Sequence, residues 1–368
     1  MNKIPFLFPF TSIINKKQIY NIQRKEKSCS KKLSALVKLL ILEKKIGILS
    51  VISKFGDALN LATKSMDKVY EIDNKNLIGV YLKHIGGLYW YVGNKEEALR
   101  YLELVTEIGS KEKDLCLEAD ALRKTGIVYY SNGEYDKSME YFSKSYAKAK
   151  KIQNSWLEGV VSGNIAVVYE LKGDIENAQT YYENARMIFE KLGDRRMEGI
   201  QIGNIGIMYY NTEEYGKARS FLEKSLQITK EVGDKYARAT MLTNLGKLYF
   251  ELGKSKEALN IVLEAFRIAQ EIGDESIKAQ NLIFLGVINN ILYGENTEPM
   301  ILEAIQTIER LNEYELLATG YFFLSQVRKN MTRLKEAKTA LKKARGIAQK
   351  YGLSKLSEKI QKECSKMK

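Results

Sequence analysis

A small residue recurs every 40 positions along this chain, at Gly86, Gly126, Ala166, Gly206, Gly246 and Gly286. Three residues later stand Tyr89, Tyr129, Tyr169, Tyr209 and Tyr249, with Asn289 in the sixth copy. Seven after the small residue come Gly93, Gly133, Gly173 and Gly253, with Glu213 as the exception; twelve after it come Ala98, Ser138, Ala178, Ala218 and Ala258. A fixed period of this length marks a repeat architecture, in which each copy buries its apolar face against its neighbours. The register therefore overrides the reading that 368 residues would otherwise invite, two ordinary domains.

The register decays toward both ends. Ala58 lies 40 before Ala98, so an earlier copy starts near residue 40. Near YGENTEP the period drops to 39, aligning Ala304 with Ala265 and Ser325 with Gly286. A last copy reads LKEAKTALKKARGIAQKYG, with Ala337 and Gly352 answering Ala258 and Gly273. This gives an all-α solenoid of about eight helix pairs, residues 40–352. A basic leader, poorly ordered or forming an extra helix, precedes it at 1–39, and a polar capping helix follows at 353–368.

Each copy divides into two helices. In residues 194–234, Asp194 is placed to cap a first helix by accepting from its free N–H groups. Ile202, Ile205, Gly206 and Tyr209 then follow at helical spacing on one face. Residues 211–214 make a turn, and Ala218, Phe221, Leu222, Leu226 and Ile228 pattern a second helix ending at Gly233. Glycine inside a helix costs about 1 kcal/mol against alanine, so its repeated use predicts a close approach of the partner helix. The 289 residues between Pro9 and Pro299 contain no proline, which agrees with helix throughout.

These residues resemble the tetratricopeptide repeat family. The motifs that carry the likeness are N-I-G-I-M-Y at 204–209, N-L-G-K-L-Y at 244–249, K-E-A-L at 256–259 and the Gly-Asp punctuation at 193–194, 233–234 and 273–274. The 40-residue period is similar to that of kinesin light chains, G-protein-signalling modulators and bacterial peptide-sensing regulators. The resemblance implies a right-handed superhelix whose first helices line a concave groove for a partner segment. The family's usual proline near the end of the second helix is absent here, replaced by Gly-Asp.

Charge argues against a nucleic-acid partner. The net charge of +13 comes from the ends: residues 1–60 sum to +9, residues 328–368 to +11, and residues 61–327 to −7. A groove for a phosphate backbone needs its cations along the array. The acidic body instead favours a neutral or basic ligand. Cys29, Cys116 and Cys364 are far apart and odd in number, which reads as free thiols in a reducing, cytoplasmic compartment. The first 25 residues hold five Lys/Arg and no acid, the balance of an organelle presequence without its usual Arg and Ser richness. The apolar run IPFLFPFTSII at 4–14 is too short to span a bilayer.

Enzyme motifs fail, and no catalytic residue, metal site or cofactor is expected. Gly253-Lys254-Ser255 matches the end of a phosphate-binding loop, but the glycine required five residues earlier is Leu248. His84, the one histidine, has no ligand partner at metal spacing and shares its repeat position with Lys124 and Asn164. No GxSxG, GxGxxG or HExxH is present.

Binding residues are expected on the first helices. At 100° per residue, Val160, Asn164, Val167 and Leu171 fall about 100–160° from Ala166, away from the packed arc. The same offsets give Ile200, Asn204, Ile207 and Asn211, then Thr240, Asn244, Lys247 and Glu251. Asn164, Asn204 and Asn244 share one angle, and an amide can pair with a peptide N–H and C=O at once. In the relatives named above, asparagines at this motif position bind peptide backbone, which the resemblance implies for these three. Val160, Val167, Ile200 and Ile207 place aliphatic surface beside them, and Gly163 and Gly203 leave room for close approach. The two-carboxylate clamp of chaperone-binding relatives is not expected, because Ile127, Ile200 and Asn204 occupy its slots. The expected function is a non-enzymatic adaptor that holds a peptide or helix. The alternative is a peptide-sensing regulator, or a repeat segment of a larger signalling protein. Residues 1–39 are too short for the N-terminal DNA-binding or helical-bundle module that such sensors carry.

Overall fold

A computed structural model describes residues 31–366 apart from 52–54 and 312. They form 17 helices, with no strand among the described residues. In chain order these are α1 (Lys31–Val51), α2 (Phe55–Ile72), α3 (Lys75–Tyr91), α4 (Lys95–Lys111), α5 (Leu115–Ser131), α6 (Tyr135–Lys151), α7 (Ser155–Leu171) and α8 (Ile175–Leu192). Then come α9 (Arg195–Asn211), α10 (Tyr215–Glu231), α11 (Lys235–Glu251), α12 (Ser255–Ile272), α13 (Glu275–Tyr293), α14 (Glu298–Leu311), α15 (Tyr314–Asn330), α16 (Leu334–Lys350) and α17 (Ser354–Lys366). Odd helices from α3 to α13 begin 40 residues apart, and α15 begins 39 after α13. Residues 1–30 of the expected leader lie outside the described residues, and α1 runs across the expected boundary at residue 39.

Local chemistry sets these boundaries. Asn74, Asn94, Asp114, Asn154, Asp194, Asp234 and Asp274 each accept from the backbone N–H three residues on. A cap of this kind is worth about 1 kcal/mol. The turn inside each pair needs a left-handed residue, supplied by Gly93, Gly133, Gly173 and Gly253 at φ 83, 76, 81 and 72°, and by Glu213 at 63°. Where the period shortens, α13 ends at Gly294, and Pro299 enters the first turn of α14, where its missing N–H breaks no helical bond.

The helices gather into two compact units, one ending at Leu192 and one beginning at Gly193. In the N-terminal unit, a Cβ on Gly126 would lie 2.6 Å from the Phe142 ring of α6. Ser145 of α6 donates to the carbonyl of Ala119 in α5 at 2.7 Å. Tyr89, Tyr129 and Tyr169 of the first helices stack on Tyr101, Tyr141 and Tyr181 of the second, with centroids 5.4, 5.3 and 5.5 Å apart.

The C-terminal unit repeats these devices. Gly206 faces Leu222, Tyr209 packs on Phe221 with centroids 5.5 Å apart, and Ser225 donates to the carbonyl of Gly199 at 2.7 Å. Helix α17 closes this unit, with Ile360 fully buried and Leu353 and Leu356 partly buried against the same core. Its Lys355 also reaches the carbonyl of Asn211, 144 residues earlier, at 2.6 Å, and Lys359 pairs with Glu251 at 2.6 Å.

First and second helices are buried differently. Helix α6 buries one stripe, Ser138, Phe142, Ser145 and Ala149, at the 3- and 4-residue spacing of a single face. Helices α5 and α9 each bury 12 of 17 residues. These first helices are therefore enclosed on most of their circumference, and only a narrow strip stays open.

Candidate ligand-binding face of the first helices

That narrow strip corrects part of the expected site. Val160 and Ile200 are 3% and 0% exposed, and Asn164 and Asn204 are 2% and 7% exposed. All four are therefore enclosed rather than set on an open surface. Gly203 also serves packing: a Cβ there would lie 2.5 Å from Met241 Sδ and 2.8 Å from Ser225 Oγ. Val167, Ile207, Asn211, Asn244 and Lys247 are half-buried.

In the C-terminal unit the strip carries Ile207 on α9 and Asn244 and Lys247 on α11. Asn244 Nδ2 donates to the Thr240 carbonyl one turn back at 3.0 Å, leaving its carbonyl oxygen to accept. The Lys247 ammonium lies 5.9 Å from the Phe284 ring centroid. Phe284 meets Phe250 and Phe323 edge-on, with centroids 6.0 and 5.2 Å apart. Burial pushes Lys247 down to about 8, with only the Glu315 carboxylate acting to raise it. Amide, aliphatic, ammonium and aromatic ring together offer both polar and apolar contact. Asn211 sits beneath the α17 contact, through its own carbonyl.

In the N-terminal unit the first-helix layer is ionic. Lys83 lies 3.0 Å from Asp120, and Arg123 Nη2 lies 2.7 Å from the same carboxylate. His84 Nε2 lies 3.0 Å from Glu43. Burial favours the neutral Asp120 carboxyl, yet Lys83, Arg123 and Lys124 outweigh it and hold the group well below the usual carboxylate range. The sequence signal for this cluster is the doublet Lys83-His84 followed 40 residues on by Arg123-Lys124. The acidic sum over residues 61–327 is no guide to this face, because a ligand feels the local field.

A model of the tetratricopeptide repeat matches residues 196–271, and a second tetratricopeptide model matches residues 161–186. Residues 161–186 and 196–271 thus read as tetratricopeptide repeats. No curated protein matches the sequence at a significant level. Among solved structures, this repeat protein resembles a Rap protein complexed with competence and sporulation factor, with a TM-score of 0.69 and 16% identity over 92% of each chain. The apo quorum sensor NprR from B. thuringiensis gives a TM-score of 0.62 at 16% identity, over 90% of this chain and 92% of that one. The Rap conjugation gene regulator of plasmid pLS20, in complex with the Phr* peptide, gives 0.57 at 14% identity over 90% and 92%. At these identities the likeness is one of fold, that of an α-solenoid. No helix among the described residues is long and apolar enough to cross a membrane.

Proposed function

We propose that this tetratricopeptide-repeat protein is a non-enzymatic adaptor that holds a peptide or helical segment against its first helices. The observation that carries the reading is the strip of Ile207, Asn244 and Lys247, half-buried beside buried Asn204 and backed by the Phe250–Phe284–Phe323 cluster. An extended segment lying there can pair its backbone with side-chain amides while its apolar side chains meet aliphatic and aromatic surface. A peptide-sensing regulator is the second reading, favoured because two of the similar solved structures hold a peptide or a signalling factor.

A random linear peptide library selected on the immobilised full-length chain tests this. Enriched peptides are expected to bind the parent and to lose at least tenfold in affinity on the double variant Asn244→Ala/Lys247→Met, with the helical circular-dichroism signal unchanged. Each lost hydrogen bond is worth about 0.5–1.5 kcal/mol, so two account for that factor. Peptides that bind parent and double variant alike would put the binding surface elsewhere.

A further inference from the structure

A solenoid repeat ordinarily meets only the repeats on either side of it. Helix α17 breaks that pattern inside the C-terminal unit. Its Lys355 Nζ donates to the carbonyl of Asn211, the last residue of α9, at 2.6 Å. Its Lys359 Nζ lies 2.6 Å from Oε1 of Glu251, the last residue of α11. Its Glu363 accepts from Lys329, in the final turn of α15, at 2.6 Å. These three positions are four residues apart, so they form one row along α17. Three first helices are thus tied by their C-terminal ends to one face of a single helix. The adjoining row is apolar, with Leu356 partly buried and Ile360 fully buried against the core of the same unit. A cation suits the end of α9, where the last carbonyls lack helical partners and the helix dipole is negative.

We propose that α17 is a brace that fixes the spacing of the first helices and so holds the ligand strip of the C-terminal unit in its binding shape; this rests on the peptide-binding reading above. Ile207 lies one turn before Asn211 on α9, and Lys247 one turn before Glu251 on α11. The ties therefore act about 6 Å along the same two helices from the strip residues. They do so without enclosing the strip, as a lid would, since Ile207, Asn244 and Lys247 all stay half-buried. With nearest-neighbour contacts alone, small rotations between repeats accumulate from α9 to α15, and a tie across that span stops them. A strip held at fixed spacing loses less freedom when a ligand binds, so the brace raises affinity. The Lys359 side chain is 54% exposed, which keeps its contact weak and open to screening by salt. The device is therefore adjustable: whatever engages or neutralises Lys355 and Lys359 loosens the strip without touching it.

The test uses the full-length chain and reads hydrogen exchange by mass spectrometry. Lys359→Glu is expected to speed exchange at least threefold in the last turns of α9 and α11, although Glu251 lies 108 residues away in sequence. The double variant Lys359→Glu/Glu251→Lys, which restores the pair with its charges exchanged, is expected to recover the rates of the parent. Lys362→Glu makes the same charge change at an exposed position of α17 and is expected to leave α9 and α11 unaltered. Faster exchange confined to α15, α16 and α17, a double variant that recovers nothing, or an equal response to Lys362→Glu would overturn the brace. Peptides enriched on the parent then test what the brace serves. They are expected to bind Lys359→Glu at least threefold more weakly and Lys362→Glu as tightly as the parent. Equal or tighter binding to Lys359→Glu overturns the proposal, and tighter binding marks α17 as a lid instead. If the library yields no binder, the peptide reading fails and the brace is decided by hydrogen exchange alone.

Discussion

Leu222 fills the space that a side chain on Gly206 would need: a Cβ there would lie 2.9 Å from Leu222 Cγ and 3.0 Å from the Leu222 backbone nitrogen. The second helix of the pair thus approaches the first at a point where neither backbone can yield without moving the other. Close packing of this kind makes added volume costly.

Gly206→Leu is therefore expected to destabilise the protein by about 1–3 kcal/mol through overpacking. Gly216→Ala is the matched control, since nothing lies within 4 Å of a Cβ there and alanine favours helix. Its expected effect is a gain of up to about 1 kcal/mol. Urea unfolding of the two variants, compared with the parent, separates close approach from helix propensity by the sign of the change.

Glu213 sits at φ 63° in a turn where glycine stands at four equivalent positions. A left-handed backbone costs a non-glycine residue about 1–2 kcal/mol, partly offset by the greater freedom that glycine has in the unfolded chain. Glu213→Gly is expected to raise stability by about 0.5–1 kcal/mol and Glu213→Val to lower it. A glycine variant no more stable than the valine one would remove strain as the explanation.

Ser145 and Ser225 make the same bond in different units, each to a first-helix carbonyl 26 residues earlier at 2.7 Å. Both are fully buried. Each serine-to-alanine change should cost about 0.5–1.5 kcal/mol, because one buried hydrogen bond is lost while the carbonyl keeps its helical partner. Hydrogen exchange should register each loss chiefly in the helices adjoining its own pair, since stacked repeats depend on nearest neighbours.

Lys247 gives a pH dependence with a definite sign. Its pKa falls from 10.5 to about 8 on folding, mainly through burial, so between those values the unfolded chain binds more protons than the folded one. Stability linked to this lysine must then rise with pH across that window, by at most about 1.4 kcal/mol per pH unit. The difference in unfolding free energy between parent and Lys247→Met should accordingly grow in favour of the parent from pH 8 to pH 10. A flat difference would mean that the ammonium stays hydrated.

Helix boundaries and pairing were legible along the chain because their causes are local. A capping Asp194 or Asp274, a left-handed Gly233 and a run at 3- and 4-residue spacing each act within one or two turns, and their 40-residue recurrence announces the solenoid. Which side chains stay accessible was decided by tertiary structure. Rotation about a helix axis was expected to leave Val160 and Ile200 open, yet both are buried. The width of the packed arc depends on how many neighbours a helix has, which no single helix encodes. The same holds for Lys83, Asp120 and Arg123, where charges from two helices meet, and for Lys355 on the carbonyl of Asn211. Such contacts arise from the stacking of repeats, so the period predicts that helices meet but not which polar groups are left facing one another.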